Sequence, residues 1–245
     1  MKSNVLGVKI DGVTMQEAVH RIAGMIGQSK PHLVVTANSE MVMMANRDPL
    51  LYEIIERADL VVPDSIGVIW ASKALRQPLP ERVPGIELMQ ALLEQSAVHQ
   101  WRVFLLGAEP GIAEQAAEAI TAEYKGINIV GTHHGFFAQS ELQAVLEKIK
   151  AAKPHLLFIA LGVPKQEKFA AAHLANLGVP VALGVGGSFQ VLAGVVRRAP
   201  LWMRKMGLEW LYRLLRQPAR ISRAVVLPQF VLWVLLERFL SGGRG

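Results

Sequence analysis

Arg102–Thr132 reads RVFLLGAEPGIAEQAAEAITAEYKGINIVGT. The opening run, RVFLLG, is apolar without alternation, which suits a strand buried on both faces rather than one. After a turn of small residues, Gly111–Tyr124 carries a helical pattern, and Ile127–Thr132 is a second β-branched run. Strand, helix and strand at this rhythm make a βαβ unit and imply parallel strands. The rhythm continues outward in both directions. His32–Ala37 (HLVVTA), Leu60–Pro63 (LVVP), Leu156–Gly162 (LLFIALG) and Pro180–Gly184 (PVALG) read as buried strands. Thr14–Gln28, Gly85–Gln95 and Ser140–Ala152 read as helices between them. The expectation is an α/β fold whose mostly parallel sheet is covered by helices on both faces.

Composition places limits on this fold. A chain of 245 residues forms one large domain, or one domain with an appendage. The absence of cysteine excludes disulfides and thiolate metal sites and fits a reducing cytosol. At the N-terminus, Asn4, Lys9 and Asp11 interrupt any secretory apolar stretch, so nothing points to export. Charge is unevenly placed. From Arg197 to Gly245 there are ten Lys/Arg against Glu209 and Glu237, a balance of +8. The whole chain carries +6, which leaves −2 for residues 1–196. The natural division is a body, 1–196, and a basic amphipathic appendage, 197–245. That appendage also holds Trp202, Trp210, Tyr212, Trp233 and Phe239, a mixture suited to an anionic surface. Its uncharged run Ala224–Leu236 is too short for a span of about 20 apolar residues, so it lies on a membrane or packs on the protein.

In a parallel sheet, ligands sit beyond the carboxyl ends of the strands. Asp64 follows one such end and reads either as a carboxylate facing a ligand or as a helix N-cap. Thr36 and Asn38 offer a hydroxyl and an amide at another end, or caps for the next helix. Gly107 and Gly111 bracket a strand–turn–helix able to aim backbone N–H groups at phosphate, although neither GxGxxG nor a Walker sequence occurs. In His133–Phe137 (HHGFF) the adjacent histidines diverge in an extended segment, which argues against a metal; an aromatic such as Phe137 suits a base, a core role for Phe136 or Phe137 being the default. Gln166 in GVPKQE can donate and accept to a sugar hydroxyl; Lys165 and Glu167 beside it also read as solvated charges at a helix start. Gly187 and Gln190 belong to a second glycine-rich turn. Arg213, Arg216, Arg220 and Arg223 recur at three, four and three residues, one face of a helix if Pro218 does not break it. Guanidiniums so arranged suit a diphosphate or lipid headgroups.

Taken together and in order, TANSEMV, PDSIGVIWA, RVPGIELM, FLLGAEPG, LGVPKQE, GVGGSFQVLAG and RRAPLWMRKMGLEWLYRLLRQPARISR resemble the WecG/TagA/CpsF glycosyltransferase family, its TagA branch above all. The resemblance implies a Rossmann-like body, no cofactor, no metal, and inverting transfer from a UDP-sugar. For that branch the donor is UDP-N-acetylmannosamine and the acceptor is N-acetylglucosamine on undecaprenyl diphosphate, joined β-1,4 in wall polymer synthesis. Other branches use the uronic acid or glucose. It implies Asp64 as base, substrate contacts at Thr36, Asn38, Arg82 and Gln166, and a diphosphate clasp of Arg213, Arg220 and Arg223. Three positions depart from the family pattern: Ser65 replaces Gly, Gln190 replaces Asp and Glu87 replaces Asp. The expected location is cytoplasmic, attached peripherally to the inner membrane face. An apolar tail also favours self-association. A catalytically silent nucleotide-binding scaffold is the competing class; a nucleic-acid binder is disfavoured by the apolar block in the tail.

Overall fold

The computed structural model describes residues 1–28, 30–206, 208–216 and 226–242; the side chains at 205, 213, 216, 241 and 242 lie outside the description. A hairpin, β1 (Lys2–Val5) and β2 (Val8–Asp11), opens the chain. The main sheet contains β3 (His32–Ala37), β4 (Leu60–Pro63), β5 (Arg102–Gly107), β6 (Asn128–His133), β7 (Leu156–Ala160) and β8 (Val181–Gly184). Their order is β4-β3-β8-β7-β5-β6 and every neighbouring pair is parallel. The strands thus fall where the apolar runs placed them, within a residue or two.

Helices α1 (Met15–Ile26), α2 (Ser39–Ala45), α3 (Pro49–Arg57), α4 (Ile66–Ala74), α5 (Gly85–His99) and α6 (Ile112–Glu123) precede α7 (Leu142–Ala152), α8 (Lys165–Leu177) and α9 (Ser188–Leu192). The C-terminal segment forms α10 (Leu201–Lys205), α11 (Glu209–Arg216) and α12 (Val226–Gly242). Thr14 caps α1 through a box with Glu17, so this helix begins where a hydroxyl satisfies its free N–H groups.

Both sheet faces are buried, which explains the unbroken apolar runs. On β5, Val103 and Leu105 join the cluster under α1, α5 and α6, whereas Phe104 and Leu106 face the cluster beneath α7 and α8. On the second face a further cluster joins β1, β2, α2, α3 and α4. Helix α12 returns to this cluster: Phe230 and Val234 are 1% and 0% exposed. Its other side leaves Leu232, Leu236, Phe239 and Leu240 in solvent. Among the described residues, no helix is long and apolar enough to cross a membrane.

The chain moves from β3 to β4 toward one edge and from β5 to β6 toward the other. The carboxyl ends of the central strands β3, β8, β7 and β5 therefore open into a crevice between diverging connections, the place where doubly wound folds take ligands.

Candidate active site

A cleft of about 920 Å³ occupies that position. Thr36 and Asn38 enter it from β3, Asp64 from β4, Ala108 and Glu109 from β5, Gln166 from the start of α8, and Gly187 and Gln190 from the turn after β8. Glu209, Trp210 and Leu214 of α11, with Leu227 of α12, line it as well, so the C-terminal segment forms part of its wall.

Asp64 continues directly from β4, its N–H donating to the Ala37 carbonyl at 2.9 Å. Its Oδ1 accepts from the N–H of Gly85, the first residue of α5, at 2.7 Å. This bond spans two elements and fixes the carboxylate at the mouth of the cleft. Asp64 does not cap the helix that follows it, because Ser65 caps α4, its Oγ accepting from Val68 at 3.3 Å. The Asp64 carboxylate instead satisfies the free N–H at the start of α5, so the helix-start reading holds for a different helix. Ser65 Oγ also lies 3.3 Å from Ser39 Oγ, giving the serine a local reason at a position where glycine was expected.

Thr36 is buried, and its Oγ1 donates to the Gly184 carbonyl at 3.1 Å. Asn38 does cap α2, since its Oδ1 accepts from Met41 at 2.8 Å; its NH₂ is the part left to serve a ligand. Arg82 and Phe137 line the cleft, as does the exposed Lys165. Gln166 Oε1 accepts from the Gly186 N–H at 3.1 Å and its Nε2 donates to Glu167 Oε1 at 2.8 Å. Glu167 is therefore no solvated charge. It is 2% exposed, and burial pushes its carboxyl up to about 7, against the smaller opposing effect of the Gln166 amide.

Gln190 Nε2 donates to Glu109 Oε2 at 3.1 Å, an exposed bond between two residues that line the cleft. An aspartate at 190 would bring a second carboxylate toward Glu109, so the amide suits this neighbour. Gly107 and Gly111 do not line the cleft. Gly107, at φ +131°, sits so close to β7 that a Cβ would meet the Ala160 carbonyl at 2.5 Å, and the turn it makes delivers Ala108 and Glu109 instead.

The family's model matches residues 3–243, under the description "Glycosyl transferase WecG/TagA/CpsF family". The chain belongs to this family. Among curated relatives, N-acetylglucosaminyldiphosphoundecaprenol N-acetyl-beta-D-mannosaminyltransferases of Staphylococcus aureus strains MW2, NCTC 8325 / PS 47 and N315 are each 39% identical over 232 residues. The match covers 94% of this chain and 91% of each relative. This protein is thus a WecG/TagA/CpsF glycosyltransferase.

The family's tail arginines are only partly placed. Residue 213 belongs to α11, but its side chain lies outside the described residues, as do Arg220 and Arg223 entirely. Sequence reasoning missed what ties this tail to the body. Arg198 NH2 meets Glu87 Oε1 of α5 at 2.8 Å and lies 3.7 Å from Glu209 Oε2 of α11; Arg204 lies 3.9 Å from the same Glu87 oxygen. Glu87 stood out only as a departure from the family pattern. Glu109 was legible only as part of a turn, because its partner Gln190 is 81 residues away.

Proposed function

We propose that the protein transfers N-acetylmannosamine from UDP-N-acetylmannosamine to the 4-hydroxyl of N-acetylglucosamine on undecaprenyl diphosphate, with inversion and without a metal. The observation that carries this reading is the carboxylate of Asp64, held by Gly85 N–H at the strand-end cleft of a family glycosyltransferase. The relatives' name supplies the sugar and the acceptor.

Inversion takes one in-line step. The acceptor O4 forms a bond to the donor's C1 while the bond from C1 to the UDP oxygen breaks, and UDP departs with that electron pair. Asp64 accepts the O4 proton as the bond forms. Thr36, Asn38 and Gln166 hold the sugars, lowering the entropic part of the barrier. Charge growing on UDP is offset by Arg82 and Lys165 in the cleft and by Arg213, Arg220 and Arg223 of the appendage.

The same reading gives residues 1–196 the base and the sugar contacts, and residues 197–245 the lipid surface together with arginines for the diphosphate. The apolar outer side of α12, with Trp202 and Met206 of the same appendage also exposed, supports a peripheral seat on an anionic membrane, where an undecaprenyl acceptor resides. A panel of UDP-sugars offered with a polyprenyl-diphosphate N-acetylglucosamine tests the donor. The expected product gains one N-acetylhexosamine by mass, with UDP-N-acetylmannosamine the fastest donor. Faster transfer from UDP-glucose or from the uronic acid overturns the donor assignment.

A further inference from the structure

Glu167 is a buried carboxyl next to the cleft residue Gln166, and it is not itself among the residues that line the cleft. It lies in the first turn of α8 and accepts through Oε1 from Gln166 Nε2 at 2.8 Å, while its Oε2 is buried with no hydrogen-bond partner. Gln166 accepts in turn from Gly186 N–H at 3.1 Å. The two contacts determine which way round the amide sits. Turned by 180°, its NH₂ would face the Gly186 N–H and its carbonyl would face the Glu167 oxygen, donor against donor and acceptor against acceptor. Packing holds the pair in place, because a Cβ on Gly184 would lie 2.5 Å from Gln166 Nε2 and 3.0 Å from Glu167 Oε1. Gly184 also accepts from Thr36, so one strand end supports two of the side chains that line the cleft.

An amide so fixed has one N–H spent on Glu167 and one lone pair spent on Gly186. Its second N–H and second lone pair are what it can offer a sugar. We propose that Glu167 is a positioning residue: through Gln166 it sets which amide atoms meet the substrate, and it serves the transfer step rather than the fold. The proposal rests on the reading of the cleft as a sugar-transfer site. Either protonation state of Glu167 serves, since a neutral acid keeps a carbonyl oxygen toward Gln166 while the proton sits on the unpartnered Oε2. The requirement is an acceptor at that point, and charge is secondary.

Three substitutions separate these possibilities when kcat and KM are measured with UDP-N-acetylmannosamine and the lipid-linked acceptor. Glu167→Gln keeps an acceptor in place, Glu167→Asp keeps the acid but withdraws the oxygen, and Glu167→Leu removes it. The expected order of kcat is Gln above Asp above Leu, with Leu lowered about tenfold or more and donor KM changed less than about twofold. In a Gln166→Ala background, Glu167→Leu adds no further loss, because its effect passes through the amide. Wild-type kcat in a folded Glu167→Leu protein, or losses that simply add in the double variant, overturns the proposal. Should Leu not fold, the Gln and Asp variants decide, and Asp at least as active as Gln overturns it. If the wild-type protein transfers no sugar at all, it is the reading of the cleft that fails. The positioning role falls with that reading, because it is defined by the transfer step.

Discussion

Burial moves the Glu167 carboxyl from its ordinary 4.5 to about 7, and the consequence for stability has a definite sign. The folded state holds this proton more tightly than the unfolded chain does. Its contribution is complete below about pH 4.5, is lost as pH rises toward 7, and changes little beyond. The full span is at most about 3 kcal/mol, at 1.36 kcal/mol per unit. Lys168, next in the chain, pairs instead with Asp48, the cap of α3, at 2.6 Å. Thermal melts from pH 5 to 8 therefore show wild-type stability falling relative to Glu167→Gln, which lacks the titration; parallel curves contradict the assignment. Gly184 makes a second prediction at this scale. Gly184→Ala drives a methyl into the Gln166–Glu167 pair and destabilises by about 1–3 kcal/mol, read by urea unfolding. Sequence alone marks Gln166 as a sugar-binding type, but the burial of Glu167 was hidden. Helix-start glutamates are normally solvated, and the close approach of Gly184 on β8 to this one is a tertiary contact that the local sequence does not announce.

At the scale of elements, the parallel strands were legible because burial on both faces leaves apolar runs without alternation. The hairpin β1–β2 was not. Its turn is Leu6-Gly7, with Leu6 at φ +50°, and lacks the Asn-Gly or Asp-Gly signature of such turns. Asp11, which reads from sequence as a mere interruption, accepts from the Val61 N–H of β4 at 3.0 Å and docks the hairpin. The place of α12 was equally hidden, since an apolar helix suits lipid and protein alike. Phe230 decides it, being enclosed with α2 and α4 residues. Phe230→Ala should cost about 3–5 kcal/mol of local stability. Hydrogen exchange would then show α12 opening faster than the sheet, and unchanged protection of α12 contradicts this packing. Arg198, 15% exposed between Glu87 and Glu209, ties α11 to α5 by ion pairs, and Arg204 of α10 reaches the same Glu87.

In the molecule as a whole, a sheet-end cleft meets a C-terminal wall whose outer face is apolar. Replacing the exposed Leu236, Phe239 and Leu240 with serine removes apolar area from that face without touching the buried Phe230 and Val234. Sedimentation with anionic vesicles is expected to weaken several-fold, while transfer to a short-chain, water-soluble acceptor is retained. Undiminished vesicle binding contradicts the membrane seat. The cleft's residues come from six strand ends spread along the chain. Sequence could name Asp64, Thr36, Asn38 and Gln166 singly, but only the order β4-β3-β8-β7-β5-β6 brings them together. The central claim is that Asp64 takes the proton of the attacking hydroxyl. Its most direct test is the single-turnover rate of disaccharide-lipid formation by Asp64→Asn, with UDP-sugar binding checked in parallel. The account predicts a rate lowered about 10²–10⁴-fold with donor binding intact; a rate within a few-fold of wild type would contradict it.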